Sequence, residues 1–234
     1  MEANEYAFVH GMARTRESLD GWRRDPRRIL GSWFLGAAGI AMLLLLAVWV
    51  VAFVIEPDLG FVYLPGPAHG LDLDEIAEIV ARNSLVLALH AFACVAGFIA
   101  GSSLPLSTAR KTGLSRWVHE RARPIAFTWV VAVTCFSLLT QALALGVIAS
   151  TIADSVGISP GVLLLTALPH ALLELTAVFL PLAAWTIASR RSEWDQLLAA
   201  TLVTVTIAIP MLIASSIWEV HVWPYILEAV SPAA

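Results

Sequence analysis

The sequence predicts an all-α fold, a polytopic helical membrane bundle with five transmembrane helices, and three observations support this class. Of the 234 residues, 59% are hydrophobic and only 14% are charged, against roughly 25% charged residues in an ordinary globular chain. Five runs, free of charge except for one glutamate in the fourth, exceed the ~20 residues needed to cross hydrocarbon. Thirteen of the 14 Lys and Arg residues fall in segments on one side of these runs. This pattern excludes a soluble domain.

The uncharged runs define the order of the elements. A basic segment, residues 1–28, precedes a membrane domain over residues 29–225, and a short tail, 226–234, follows. The spans are predicted at about 29–55, 83–105, 124–150, 161–189 and 197–221. Because cationic loops face the cytoplasm, the N-terminus is expected inside and the C-terminus outside. The same rule explains the basic clusters, so nucleic-acid binding is not expected; the clusters are also candidates for contact with anionic lipid headgroups.

The longest outer loop contains a predicted amphipathic helix at about 72–82. Its apolar residues recur at i, i+3, i+4 and i+7, from Leu73 to Val80. Asp72 and Glu75 have the spacing of a capping box, which sets the start of this helix, and we expect it to lie at the outer interface.

Signals at two span ends complete the layout. Ser159 as N-cap and Pro160 at the first helical position set the start of span four. Trp218, Trp223 and Tyr225 predict an aromatic belt at the outer end of span five.

Span four carries the most informative polar residues. Thr166, His170 and Glu174 are each four residues apart and therefore form one stripe on one helix face. A charge at the bilayer centre costs about 2.5–3.5 kcal/mol, so Glu174 should face the bundle interior. Pro169, and Pro181 further on, each remove a backbone hydrogen bond and predict bends around the stripe.

Span two presents Asn83, His90, Gly97 and Gly101 on one face. The two glycines form a GxxxG pattern that lets another helix approach closely. His90 is expected ~10 Å below Asn83, at the level of His170, so that the two histidines can meet. Further polar residues extend a predicted seam through the bundle: Thr134, Ser137, Gln141, Ser215, Ser216 and Glu219.

This seam has a structural and a functional interpretation. Ser, Thr, Gln and His cross-link membrane helices by hydrogen bonds of about 0.6 kcal/mol each, whereas intramembrane ionisable residues mark ion and proton pathways. Glu219 beside the belt tryptophans is also suited to an interfacial role.

Enzyme signatures are absent from the sequence. It contains no HExxH, GxSxG, Walker A or dinucleotide motif, so no catalytic residue, metal ligand or cofactor is predicted. Cys94 and Cys135 lie in apolar runs and are interpreted as small hydrophobic residues.

Three segments resemble one family of membrane proteins. Residues 168–185, LPHALLELTAVFLPLAAW, contain a Pro-His-x-x-x-Glu pattern, in which Pro169, His170, Glu174 and Ala177 match, while Ala171 and Thr176 depart from the family's Gly and Pro. Two further segments agree, ARNSLVLALHAFACVAGFIAG through Asn83, Gly97 and Gly101, and IASSIWEVHVWP through Glu219 and Pro224. Together these segments, from about residue 83 to 224, resemble the stage II sporulation protein M-like integral membrane proteins.

The resemblance implies a multi-pass protein of a prokaryotic cytoplasmic membrane that acts as a scaffold or accessory subunit of a cell-envelope complex. The family's sporulation role is not carried over. The alternative is a proton-coupled transporter or permease subunit that uses the His/Glu stripe. Expected partners are membrane lipids and other membrane or envelope proteins, with a homo-oligomer as an open alternative.

Overall fold

The computed structural model describes residues 3–57, 72–99 and 114–232, which are helical with no strand among them. Five helical segments there are long and apolar enough to cross a membrane. The helices are α1 (Ala3–Trp22), α2 (Pro26–Val54), α3 (Leu73–Phe98), α4 (Leu114–Ser155), α5 (Pro160–Arg191), α6 (Leu197–His221) and α7 (Trp223–Val230), with a 3-10 turn at Trp194–Gln196 before α6.

Three helices begin at side-chain caps. The Asp25 carboxylate accepts a hydrogen bond from the Arg28 backbone N–H at the start of α2. Asp72 caps α3 in the same way through Glu75 N–H at 3.1 Å, which confirms the predicted start. Ser159 caps α5 through Val162 N–H, with Pro160 at the first position, also as predicted. Each cap satisfies a backbone donor that has no partner inside the helix.

The amphipathic segment 72–82 does not form a separate interfacial helix, and this prediction is wrong. It is the first part of α3, which continues to Phe98 without a break. Neither glycine nor proline interrupts the chain between Leu73 and Gly97, so nothing ends the helix. The apolar face of the segment packs instead on α6, where Ile76 and Ile79 contact Val220.

The remaining spans agree with prediction to different degrees. Helix α6 matches the predicted span 197–221. The bounds of α2 and α5 each lie within three residues of the predicted spans 29–55 and 161–189. Helix α4 is much longer than 124–150, although its apolar part is Val130–Ser155. The predicted end of span two, at about residue 105, lies outside the described residues.

Helix α5 is the centre of the bundle and packs most extensively on α2 and α6, then on α3. Helices α2 and α5 are antiparallel, since a Cβ on Gly36 would lie 3.2 Å from Ala183 and one on Gly161 would lie 3.4 Å from the Trp49 indole nitrogen. Helix α3 runs parallel to α5. Helix α4 lies against α2, where Ser150 Oγ donates to the Ile55 carbonyl at 3.1 Å.

Charged residues separate between the two ends of the bundle. At the end where α3 and α5 begin and α6 ends, the acidic end, Arg82 is the sole Lys or Arg of the described residues, among several carboxylates. At the opposite, basic end, α2 begins and α5 ends, and exposed arginines dominate. Between the ends, large apolar side chains point outward, as a hydrocarbon solvent favours. Among the charged residues of α5, Glu174 lies furthest from the two ends of the helix.

Candidate functional site

The stripe predicted on α5 lies in the acidic half of the bundle. Glu174 is 14 residues past Pro160, which corresponds to about 21 Å along the helix. Pro169 lies inside α5 directly before His170. Because proline has no N–H, the carbonyl one turn earlier, on Leu165, loses its helical donor. His170 is buried, with 5% of its surface exposed, and Glu174 is partly buried.

Glu174 faces side chains from two neighbouring helices. It interacts electrostatically with Glu219 of α6 and with Arg82 and Asn83 of α3. Glu219 interacts in turn with Arg82 and with Glu75 at the start of α3. We refer to Glu75, Arg82, Asn83, Glu174 and Glu219 as the carboxylate cluster. Three helices, α3, α5 and α6, therefore bring their ionisable groups to one place.

The inner part of the cluster has an unbalanced charge. Glu174 and Glu219 supply two carboxylates, and Arg82 is the one cation that interacts with both. Like charges in a low-dielectric interior repel strongly and cannot both remain ionised without a counter-charge. The Asn83 side chain adds a neutral polar group that interacts with Glu174. The cluster is therefore suited to hold one additional positive charge.

Trp223 covers the stripe from the acidic end. Its indole N–H donates to Thr166 Oγ1 at 3.1 Å, and its ring centre is 5.3 Å from that of His170. His170 Nδ1 is buried and has no hydrogen-bond partner in the described part of the chain.

The aromatic belt prediction is wrong for Trp223, which is only 7% exposed. The reason is a break in the helix: α6 ends at His221, Val222 has φ −112°, and α7 begins at Trp223 with Pro224 as its second residue. The turn points the indole inward. Trp218 and Tyr225 are 40% and 55% exposed and retain positions that suit an interface.

His90 does not meet His170, contrary to expectation. Its Nδ1 donates to the Val178 carbonyl at 3.1 Å, and its ring packs on Phe179. Val178 is eight residues beyond His170, about 12 Å further along α5. The depth estimate placed Asn83 at the outer surface, whereas α3 begins ten residues earlier and Asn83 already lies level with Glu174.

Cys94 makes a contact that the sequence interpretation missed. Its Sγ donates to the Pro181 carbonyl at 3.1 Å, one turn along α3 from His90. His90 and Cys94 therefore both donate to backbone carbonyls at or near Pro181, the second proline inside α5. The i, i+4 spacing of His90 and Cys94 was the available signal.

Gly97 lies where α3 approaches α5 and α6 most closely. A Cβ on Gly97 would lie 2.6 Å from Trp185 Nε1 and 2.9 Å from Leu197 Cδ1, so a side chain there would collide with both. Gly101, the second glycine of the pattern, lies outside the described residues.

The other polar residues of the predicted seam bond mainly within their own helices. Gln141 Nε2 donates to Ser137 on α4, and Ser215 and Ser216 both donate to the Leu212 carbonyl on α6. A continuous seam is therefore not formed by these residues. Arg82 and Glu75, in contrast, belong to the cluster, although Glu75 was predicted only as part of a capping box and Arg82 was not predicted as a site residue. Arg82 was detectable as the lone cation of the outer segments.

Within the described residues, no group of three or more His, Cys, Asp and Glu side chains is arranged to hold a metal ion. Comparison of the chain with protein-family models, with curated proteins and with solved structures found no match. The resemblance to the stage II sporulation protein M-like proteins therefore stays a prediction. What is established is the class: the described residues are helical without strands, and five of their helical segments are long and apolar enough to cross a membrane.

Proposed function

We propose that this chain is a multi-pass membrane protein of a transporter or permease, in which Glu174 and Glu219 bind a proton or another monovalent cation. The observation that carries the proposal is the meeting of these two carboxylates, from α5 and α6, beside Arg82. Ionisable groups inside membrane spans face the protein interior and commonly mark such pathways.

The charge balance supports a ligand of charge +1. Glu174, Glu219 and Arg82 together leave a single negative charge, which one bound proton or one monovalent cation neutralises. Glu75 interacts with Glu219 but is absent from the charges that act on Glu174, and it is not counted here. Pro169 and Pro181 lie inside α5 on either side of Glu174, and each leaves a backbone carbonyl without its helical donor, a feature shared with helices that line substrate paths in transporters.

The orientation belongs to the same proposal. By the positive-inside rule the basic end faces the cytoplasm, so the N-terminus is inside and Trp223 lies on the external side of the cluster. Reporter fusions after residues 65, 115, 157, 193 and 234 are expected to read out, in, out, in and out. An inverted reading at any position contradicts this topology.

The scaffold function stays a prediction. It rests on the sequence resemblance, and no contact of the carboxylate cluster favours it. We place the chain in the cytoplasmic membrane of a prokaryote on the same grounds. Mass spectrometry of the proteins that remain bound after mild detergent extraction tests both: stoichiometric envelope proteins favour the scaffold.

Cation movement in vesicles tests the transport proposal directly. The chain, extracted together with its bound proteins, is reconstituted into vesicles, and proton, Na⁺ and K⁺ gradients are imposed one at a time. Wild-type protein is expected to dissipate one gradient faster than protein-free vesicles, and Glu174→Gln and Glu219→Gln are each expected to abolish this. The matched control is Glu228→Gln, an exposed carboxylate at the same end. Equal fluxes in wild type and both cluster variants contradict the proposal, as does a wild type without flux.

A further inference from the structure

Four arginines from two distant parts of the sequence lie at the basic end. Arg27 and Arg28 begin α2, and Arg190 and Arg191 end α5. These helices are antiparallel, with Gly36 opposite Ala183. Arg28 is eight residues before Gly36, and Arg191 is eight residues after Ala183, about 12 Å from that contact in each case. The two pairs therefore lie at the same level on adjacent helices, and we call them the arginine patch.

None of the four arginine side chains of the patch forms an ion pair with a described residue. All four side chains are exposed, and the ion pairs found at this end belong to other arginines. Asp20 pairs with Arg23, and Asp195 lies 4.0 Å from Arg14. The Asp25 carboxylate caps α2 at the Arg28 backbone N–H and offsets part of the positive charge at this place, but it leaves the four guanidinium groups in excess.

An apolar strip runs down α2 directly from the arginine patch. Leu35 follows Arg28 by seven residues, so it lies on the same face of the helix, and 78% of its surface is exposed. Met42, seven residues further, continues the strip and is also exposed. The arginine patch and the apolar strip that continues from it match the charged headgroup and the acyl chains of a phospholipid. A free phosphate would contact the arginines alone.

We propose that the arginine patch binds the headgroup of an anionic phospholipid, with its acyl chains along the Leu35 strip of α2. Arginine recognises phosphate through two parallel N–H···O bonds. Helix axes in contact are about 8–10 Å apart, so the two arginine pairs can each hold one phosphate. A lipid with two phosphates, diphosphatidylglycerol, is therefore the preferred ligand, in keeping with basic pockets between spans elsewhere. This inference does not depend on the carboxylate cluster.

Native mass spectrometry of the full-length chain in detergent tests the proposal. The probes are diphosphatidylglycerol, phosphatidylglycerol, phosphatidylethanolamine and inorganic phosphate. We expect the two-phosphate lipid to be retained best and the zwitterionic lipid least. The double variants R27Q/R28Q and R190Q/R191Q should each weaken binding of diphosphatidylglycerol at least about tenfold. The control R14Q/R16Q removes two positive charges from α1 that do not belong to the arginine patch, and should change the binding less than about twofold.

A second variant distinguishes the loss of charge from the loss of the bidentate contact, and it gives a result even if the glutamine variants fail to fold. Replacement of all four arginines by lysine keeps the charge and the topological signal, and should lose part of the affinity because lysine cannot form the bidentate contact. Unchanged lipid retention in both glutamine variants overturns the proposal. Displacement of the lipid by inorganic phosphate at equal phosphorus concentration also overturns it, because it reveals a simple anion site.

Discussion

Pro169 and Pro181 each remove a backbone hydrogen bond from α5, but the polar groups around the two prolines are paired differently. At Pro181 the neighbouring helix α3 sends two donors, His90 and Cys94, to the backbone carbonyls of α5. Near Pro169 no described side chain of another helix donates to a carbonyl of α5: His170 Nδ1 makes no hydrogen bond to a described residue, and Glu174 faces the like charge of Glu219 as well as Arg82 and Asn83. His90 Nε2 is likewise buried without a described partner, so the contrast lies in the bonds made to the backbone of α5.

The comparison separates structural from functional polarity. A buried hydrogen bond that is fully made stabilises the packing of two helices, whereas an unpaired donor or a like-charge pair costs free energy. A protein keeps such a cost where function requires it. Under the proposed function, the Pro181 level is therefore the structural part of the bundle, and the carboxylate cluster is the part that binds the cation.

The largest expected effect on stability concerns the close packing beside Pro181. In Gly97→Ala the new methyl group would lie 2.6 Å from Trp185 Nε1 and 2.9 Å from Leu197 Cδ1. Such overpacking should lower the free energy of unfolding by about 1–3 kcal/mol. Titration of the purified protein with a denaturing detergent measures it. The matched control is Gly39→Ala on α2, where nothing lies within 4 Å of the new Cβ; it should be neutral or stabilising by up to about 1 kcal/mol.

A pair of histidine variants tests the comparison itself. His90→Phe removes the donor to Val178 and should cost about 0.6–1.7 kcal/mol of unfolding free energy, the range for hydrogen bonds between membrane helices. His170→Phe removes no hydrogen bond between described residues and should cost less. The same detergent titration measures both variants. Equal losses would contradict the division between a structural and a functional level.

Removal of one carboxylate from the cluster should leave stability unchanged or increase it. Glu174→Gln keeps the shape of the side chain, ends the repulsion with Glu219 and leaves Arg82 with one counter-charge. The melting temperature in detergent should therefore be equal to that of wild type or higher, while cation flux is lost. A large fall in melting temperature would indicate that Glu174 is a structural anchor.

Much of the fold was predictable because it depends on properties of single segments. Uncharged runs fixed the number of spans, and caps such as Asp72 and Ser159 fixed helix starts, since both signals are local. The continuity of α3 was missed because polarity between Asp72 and Arg82 suggested a surface helix, while the absence of a helix breaker there was decisive.

The candidate site was predictable only in part. Spacing along one helix showed that His170 and Glu174 share a face, but it contains no information about the rotation and depth of neighbouring helices. The pairing of His90 with Val178, the inward turn of Trp223 and the approach of Arg82 to Glu174 all depend on that relative placement. Each is a tertiary contact between residues more than 50 positions apart.

The smallest expected effect concerns the side chain that covers the site. Trp223→Phe keeps an aromatic ring against His170 but removes the indole N–H that donates to Thr166. One such hydrogen bond is worth about 0.6 kcal/mol in a membrane protein. A double-mutant cycle with Thr166→Val isolates it, because each single variant removes the same bond and the coupling energy should equal that value. Trp218→Phe, at an exposed position near the same helix end, should show no coupling with Thr166→Val. An absence of coupling between Trp223→Phe and Thr166→Val would show that the indole N–H does not hold the Trp223 side chain in place. The buried ring alone would then have to cover His170 from the acidic end.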